Sequence, residues 1–273
     1  MKPAPVDFRR PTDLAQALAL LDDLQDDAMP IAGGQSLVPM MGLRLTGFTT
    51  LVDISRLDAL RRVSSGSDGV FLGAATTHAM IEDGRVPDPG GGLMARVASR
   101  IAYRAVRNLG TIGGSVALAD PAADWPCCMI ALDARIRLVA SAGTRDVAAE
   151  DFFLGPYETA RGPGELIEGI LIPPQPAGMR FGVSKVARKS GAFADSLAIV
   201  VRAPGMARVA LGGTASGARL LDRSSAAVSA GEHPALPESA RLDLSECDPD
   251  ADGYRVRCHL ATLSRAAAEA LDP

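Results

Sequence analysis

The run AGGQSLVPMMGLRL at residues 32–45 holds the first of two glycine segments on which the expected fold of this chain depends. The second lies within RNLGTIGGSVALADPAADWP at residues 107–126. We call residues 32–37 the first glycine segment and residues 111–115 the second glycine segment. Each joins consecutive glycines to a hydroxyl side chain, so its backbone N–H groups can approach an anion that a Cβ atom would otherwise block. Two such segments suit a diphosphate, with one segment on each side.

Other patterns rich in glycine do not fit these segments. Either glycine pair taken alone is more often an ordinary turn or bulge. Neither segment matches the G-x-x-x-x-G-K-[ST] loop or the dinucleotide pattern G-x-G-x-x-G. The sequence therefore does not indicate a P-loop nucleotide hydrolase or a Rossmann domain.

Apolar periodicity and turn residues predict the elements around the two segments. A helix is expected behind Thr12 and Asp13, where leucines recur every three to four residues. One continuous helix is expected at residues 93–106, and the second glycine segment is expected to be a turn. The other elements expected here are strands at 28–31, 51–54, 134–140 and 166–172, a hairpin at 63–75, helices at 77–82 and 125–132, and a helix-like or irregular segment at 36–44.

A domain boundary is expected at residues 173–178, which hold three prolines and a glycine. The predicted domains are therefore residues 1–175 and 176–273. Beyond the boundary, strands precede helices without β-α-β alternation, which favours a small α+β domain. The elements expected there are strands at 181–186, 198–201 and 206–211 and helices at 218–229 and 254–271, with 236–247 left open.

Composition narrows the class of protein. The chain has 273 residues, of which 47% are apolar and 22% charged, as in ordinary globular proteins. The formal net charge of −4 argues against a nucleic-acid binder. No stretch of about 18 uncharged apolar residues occurs and no secretory pattern opens the chain, so we expect no membrane span and a cytoplasmic protein.

Cysteine spacing argues against a metal centre held by this chain alone. Cys127 and Cys128 are adjacent, and Cys247 and Cys258 lie far from them, so no C-x-x-C pair exists. We expect the four thiols to be small buried apolar groups. We predict no metal ligand and no catalytic acid, base or nucleophile in this chain.

The two quoted runs, in this order and at this separation, resemble the FAD-binding medium subunit of the molybdenum hydroxylases, the carbon monoxide dehydrogenase and xanthine dehydrogenase family. PVDFRRPTDLAQALALL at residues 5–21 and KVARK at residues 185–189 extend the likeness over nearly the whole chain. The resemblance implies an α+β fold. A two-lobed FAD-binding domain of the vanillyl-alcohol oxidase (PCMH) type would precede a small α+β domain with an antiparallel sheet.

The resemblance also implies which residues bind FAD. The pyrophosphate would be held by Ala32, Gly33, Gly34, Gln35, Ser36 and Leu37 of the first segment and by Thr111, Gly113, Gly114 and Ser115 of the second. Asp124 would lie near the sugar-alcohol chain, and Asp120 would be a further FAD-binding residue. Ile101 and Ala102 would line the adenine or the ring, Ile167 would lie on the strand that passes the flavin, and Phe193 would lie near the isoalloxazine.

Lys185 matches a lysine that the family places at the N1–O2 edge of the flavin. A cation there stabilises the negative charge that the flavin gains on reduction, and so raises its reduction potential.

Each assignment has a structural alternative. Asp124 could cap a helix and Asp120 a turn. Ile101, Ala102, Ile167 and Phe193 could be core residues, and Lys185 could be solvated. Arg104 and Arg107 could pair with acidic neighbours or face a partner subunit.

The implied function is electron transfer by non-covalent FAD. None of His78, His233 and His259 follows a motif for covalent flavin attachment. Molybdopterin and [2Fe-2S] clusters would belong to a large and a small partner subunit, in a dimer of heterotrimers that passes electrons to an external acceptor. The alternatives are a stand-alone flavin oxidoreductase and a non-catalytic nucleotide-binding or assembly protein.

Overall fold

Four sheets, one of them only two-stranded, occur in the computed structural model, which describes residues 2–231 and 237–272. His233 therefore lies outside the described residues. The strands are β1 (Asp7–Arg9), β2 (Ala28–Ile31), β3 (Thr50–Asp53), β4 (Val63–Gly66), β5 (Gly69–Gly73), β6 (Arg135–Ala140), β7 (Gly143–Ala148), β8 (Phe153–Gly155), β9 (Glu158–Thr159), β10 (Leu166–Ile172), β11 (Arg180–Val186), β12 (Ser196–Ala203), β13 (Met206–Gly212) and β14 (Arg219–Leu220).

Twelve α-helices occur in the described residues. They are α1 (Leu14–Leu24), α2 (Leu37–Gly42), α3 (Asp58–Arg61), α4 (His78–Glu82), α5 (Leu93–Ser99), α6 (Arg104–Arg107), α7 (Ile112–Leu118), α8 (Asp124–Ala131), α9 (Ala149–Phe152), α10 (Asp222–Ser229), α11 (Pro237–Cys247) and α12 (Gly253–Leu271). None is long and apolar enough to cross a membrane.

The first lobe is a parallel sheet in the order β1-β3-β2. Parallel neighbours require crossover connections, and here α1 and α2 supply them. The Asp13 side chain accepts a hydrogen bond from the Gln16 N–H (2.8 Å), which confirms the predicted start of α1. Leu18 and Leu21 of α1 pack in one buried cluster with Val52 of β3.

The second lobe is an antiparallel sheet in the order β4-β5-β10-β6-β7. The hairpin predicted at residues 63–75 is confirmed as β4 and β5. Helix α8 packs at the centre of this lobe's core. Trp125, Cys127 and Cys128 of α8 are all fully buried.

The C-terminal sheet is antiparallel in the order β11-β12-β13-β14. Alternate residues of β12 face opposite sides, as the twofold repeat of a strand requires. Ile199 and Val201 belong to the core that contains α8, whereas Ala198 and Val200 belong to a second core formed with α10, α11 and α12. The sheet therefore lies between α8 and the C-terminal helices.

Two predicted elements are wrong, and the helix predicted at 218–229 starts only at Asp222, because Arg219–Leu220 pair with β13 as strand β14. The helix expected at 93–106 is interrupted, because Ala102 has φ +45° and its N–H bonds to the carbonyl oxygen of Gly191 (3.0 Å) instead of continuing the helix. The second glycine segment is no turn: Thr111 caps α7, which begins at Ile112. The region left open at 236–247 contains helix α11.

Candidate flavin site

The first glycine segment lies between the end of β2 and the start of α2. Gly34 has φ +69°, a conformation that favours glycine. The Gln35 side chain donates to the Gly33 carbonyl oxygen (2.9 Å), which holds the bend in place. Within the described residues, the backbone N–H groups of residues 33–36 donate no hydrogen bond. These four amides are therefore available to an anion.

The second glycine segment differs, because its amides already have partners. The N–H groups of Ile112 and Gly113 donate to the carbonyl oxygens of Thr76 (2.9 Å) and Ala74 (3.0 Å), and Gly114 donates to Thr111 Oγ1 (3.0 Å). A Cβ on Gly113 would lie 2.4 Å from that of Ala74, so this glycine serves packing. Gly114 is exposed, and a Cβ there would meet only Thr111 Oγ1, at 3.0 Å.

The two segments are neighbours in space. A Cβ on Gly33 would lie 2.0 Å from the carbonyl oxygen of Leu109 and 2.9 Å from the Cα of Gly110. Leu109 and Gly110 lead directly into the second segment. Because only glycine fits at residue 33, the contact brings chain positions almost 80 residues apart to one place, as the diphosphate hypothesis requires.

Lys185 and Asp124 form a buried ion pair. The Lys185 Nζ lies 2.9 Å from both Asp124 carboxylate oxygens, and the side chains are 8% and 6% exposed. The structure thus differs from both alternatives: Lys185 is not solvated, and the N-cap of α8 is Ala123 rather than Asp124. Burial raises the pKa of the Asp124 carboxyl, and the Lys185 ammonium opposes that rise.

Residues 187–195, which we call the flavin loop, join β11 to β12 and carry Phe193. This side chain is 61% exposed, so the core alternative for Phe193 is wrong. The Ala194 N–H donates to the carbonyl oxygen of Ala122 (3.1 Å), and the Ala102 N–H donates to that of Gly191 (3.0 Å). The loop therefore touches the chain next to Asp124 and the turn that contains Ile101 and Ala102.

Two other predicted site residues have structural partners. Asp120 accepts hydrogen bonds from the Ala122 N–H (2.9 Å) and the Tyr157 hydroxyl (3.2 Å), so it does cap a turn. Ile167 on β10 is buried in the core. Half-buried Ile101 packs against the same core, and Ala102 is half-buried beside it. None of these contacts assigns a ligand.

Sequence reasoning missed several polar residues. Thr76 is buried and, among the described residues, its hydroxyl has no hydrogen-bond partner. The Thr76 carbonyl oxygen accepts a hydrogen bond from the N–H of Ile112, which lies within the second segment. Arg107 pairs with Glu82, as one of the two alternatives for this arginine predicted. The sequence around Thr76 does not predict that its hydroxyl lacks a hydrogen-bond partner, because this property results from packing against residues distant in the chain.

A Ser-His-Asp arrangement also occurs, although spacing does not reveal it. Ser196 Oγ lies 2.8 Å from His259 Nδ1, and His259 Nε2 lies 3.2 Å from Asp248 Oδ2. All three side chains are buried, and Ser196 also bonds Thr262 (2.7 Å). Because no substrate can reach the buried Ser196 hydroxyl, these side chains do not form a catalytic site. Their hydrogen bonds instead join β12 to α12.

The thiols behave mostly as expected. All four cysteines are free; Cys127, Cys128 and Cys247 are buried and Cys258 is half-buried. Burial raises the pKa of the Cys247 thiol to about 11 and raises those of Cys127 and Cys128 further.

The fold and site define a two-lobed domain followed by an α+β domain, with adjoining glycine segments in the first domain. The family profile described as "FAD binding domain in molybdopterin dehydrogenase" matches residues 4–175. The chain belongs to this family, as the sequence resemblance implied. It is an FAD-binding subunit of the medium-chain type found in multi-subunit molybdenum hydroxylases, and so part of an oxidoreductase.

Known proteins resemble the chain over most of its length. The carbon monoxide dehydrogenase medium chain of Afipia carboxidovorans is 39% identical over 206 residues, which cover 74% of this chain and 70% of that protein. The glyceraldehyde dehydrogenase medium chain of Sulfolobus acidocaldarius is 37% identical over 206 residues, covering 75% and 73%. A structure of reconstituted CO dehydrogenase from Oligotropha carboxidovorans superposes with a TM-score of 0.91 at 34% identity, covering 99% of both chains. The predicted fold class is therefore confirmed.

Proposed function

We propose that this chain binds FAD without a covalent bond and transfers electrons within a multi-subunit molybdenum hydroxylase. It would receive electrons from [2Fe-2S] clusters of a small partner subunit and deliver them to an external acceptor. The substrate would be oxidised at the molybdopterin cofactor of a large subunit, in a dimer of heterotrimers. Within this chain, we take residues 1–175 as the FAD-binding domain and 176–273 as the C-terminal domain.

One observation carries the proposal: the contact of Gly33 with Leu109 beside four amides without partners. Backbone N–H groups that face one space are suited to a diphosphate. FAD, when bound, supplies a redox centre. The residues proposed to hold it are Ala32, Gly33, Gly34, Gln35, Ser36, Leu37, Ile101, Ala102, Thr111, Gly113, Gly114, Ser115, Asp120, Asp124, Ile167, Lys185 and Phe193.

Among these residues, Lys185 is the one whose charge would act directly on the flavin. Its ammonium favours negative charge on a flavin placed beside it, and Asp124 fixes the position of that ammonium. Phe193 offers an exposed ring for contact with the isoalloxazine.

The relatives support substrate recognition outside this chain. They are medium chains of dehydrogenases named for carbon monoxide and glyceraldehyde, two unlike compounds, at similar identity to this chain. A medium chain that bound the substrate itself would need different pockets for these compounds.

The flavin part of the proposal is tested with the purified chain. We expect it to bind FAD and turn yellow, and acid precipitation should release all of the flavin into the supernatant. Flavin that stays with the precipitate would contradict the non-covalent claim. A chain that binds no FAD would favour the assembly-protein alternative.

The electron-transfer part is tested with the complex. A tag on this chain should co-purify a large and a small subunit, with molybdenum and iron detected by metal analysis. A compound that the complex oxidises should reduce the FAD in the complex, whereas the isolated chain should not oxidise that compound. Turnover of an organic substrate by the isolated chain would favour the stand-alone oxidoreductase.

A further inference from the structure

Arg107 holds two parts of the second lobe together. Its side chain is 11% exposed. The Nε and Nη2 groups donate to the two carboxylate oxygens of Glu82 (2.8 and 2.9 Å), and Nη1 donates to the carbonyl oxygens of Ile101 and Ala102 (both 2.9 Å). A planar guanidinium can form this fork, and a lysine ammonium cannot.

The two carbonyl groups belong to the turn that interrupts the expected helix at 93–106. Ala102 has φ +45°, a left-handed conformation that is energetically costly for a non-glycine residue. Arg107 offsets this cost, because charge-assisted hydrogen bonds are stronger than neutral ones. The turn is therefore held by Arg107 rather than by its own backbone preference.

The same turn anchors the flavin loop. The Ala102 N–H donates to the Gly191 carbonyl oxygen (3.0 Å), and a Cβ on Gly191 would lie 2.6 Å from the Ala102 carbonyl oxygen. Gly191 itself has φ +76°. Next to this contact, the Lys189 Nζ lies 5.8 Å from the centre of the Tyr103 ring. The position of Phe193, two residues beyond Gly191, thus depends on the turn.

We propose that Arg107 is a positioning residue for the flavin loop. Through the carbonyl groups of Ile101 and Ala102 it holds the turn, and through Gly191 the turn holds Phe193 where it can contact the isoalloxazine. The flavin contact rests on the proposed function, whereas the anchoring of the loop does not.

Arg104 provides a matched control. It lies three residues before Arg107 and pairs with the same carboxylate, Glu82 (2.8 Å), and with Asp83. It is 46% exposed and contacts neither carbonyl group of the turn. Arg104→Met thus removes an ion pair to Glu82 without releasing the turn.

The first measurement is limited trypsin digestion of the full chain without FAD. Cleavage after Arg188 and Lys189, in the flavin loop, is followed by mass spectrometry and normalised to cleavage after the exposed Arg44. We expect Arg107→Met and Arg107→Lys to speed loop cleavage about tenfold, from the loss of charge-assisted hydrogen bonds. Arg104→Met should stay within about twofold of the parent chain.

Gly191→Ala gives a second test from the loop side. It keeps the Arg107 side chain but places a Cβ 2.6 Å from the Ala102 carbonyl oxygen, so it should also speed loop cleavage. If Arg107→Met does not fold, this variant still decides whether the turn holds the loop. Equal cleavage rates in Gly191→Ala and the parent chain would overturn the anchoring.

The second measurement is FAD affinity, followed by flavin fluorescence. Arg107→Met should weaken binding about tenfold, and Arg104→Met should not. If the parent chain binds FAD, faster loop cleavage of Arg107→Met with unchanged FAD affinity would overturn the positioning role. Failure of the parent chain to bind FAD would instead refute the proposed function and leave the cleavage result standing.

Discussion

Lys185 and Asp124 form a buried ion pair, and the redox role proposed for Lys185 can be tested separately from the contribution of this pair to stability. Both groups are withdrawn from water, and each is compensated mainly by the other. Removal of one partner leaves a buried charge alone. A flavin beside Lys185 would experience its positive charge, reduced by the carboxylate 2.9 Å away.

Variants of this pair separate the two roles. We expect Lys185→Met to lower the free energy of unfolding of the FAD-free chain by about 3 kcal/mol, and Lys185→Met/Asp124→Asn to recover most of that loss. The flavin midpoint potential should fall in both variants, because both lack the cation. Denaturant unfolding and a redox titration measure the two effects. A potential restored together with stability would show that Lys185 acts only through the fold.

His78 gives a second effect at the scale of a residue. Its Nδ1 accepts from the Trp125 indole N–H (3.0 Å), so the buried ring is neutral. Burial, with a smaller contribution from the charge of Arg107, lowers the pKa of His78 to about 4. The unfolded chain keeps a value of about 6.5.

Between pH 4 and pH 6.5, His78 binds a proton in the unfolded state but not in the folded state. Stability should therefore be independent of this group above pH 6.5 and should fall toward pH 4, by about 3 kcal/mol in total. Trp125 is the only tryptophan of the chain, so its fluorescence can follow denaturant unfolding at each pH. His78→Gln should flatten the dependence. An unchanged slope in this variant would contradict the assignment.

At the scale of an element, the start of helix α7 distinguishes two glycines in the same segment. Gly113 is packed against Ala74, whereas Gly114 faces solvent. A larger side chain at Gly114 would contact only Thr111 Oγ1, so this position tests the proposed diphosphate site with little disturbance of the core.

Gly114→Val should reduce FAD affinity at least about a hundredfold, since a branched side chain occupies the approach to the diphosphate. The unfolding midpoint of the FAD-free chain should change little. Gly47→Val is a matched control, because Gly47 is exposed and a Cβ there meets nothing within 4 Å. Gly113→Val should instead unfold the chain. Unchanged FAD content in Gly114→Val would remove this glycine from the proposed site.

At the scale of the whole molecule, the core crosses the predicted boundary at residue 175. Ile199 and Val201 of the C-terminal sheet share a buried cluster with Trp125 and Cys128 of α8. A chain cut at this point would expose a large apolar surface of α8, which favours aggregation.

We therefore expect residues 1–175 alone to be insoluble or to bind a hydrophobic dye, and the full chain to unfold in a single transition. Trp125 fluorescence and circular dichroism should give the same midpoint for the full chain. A soluble, cooperatively folded fragment with residues 1–175 would show that the two domains are independent.

The sequence by itself determined the family, most strands and the helices α1 and α12, because periodicity and the two glycine runs are local signals. It also identified Lys185 and Asp124 as polar residues of interest, but not as partners. Contacts between distant residues decided the features that the sequence did not predict. Asp124 forms an ion pair with Lys185, 61 positions along the chain. The hydrogen bond from the Ala102 N–H to Gly191 interrupts a helix that the residues around Ala102 favour. Only the folded chain shows which side chains are removed from water, and burial is what gives those contacts their strength.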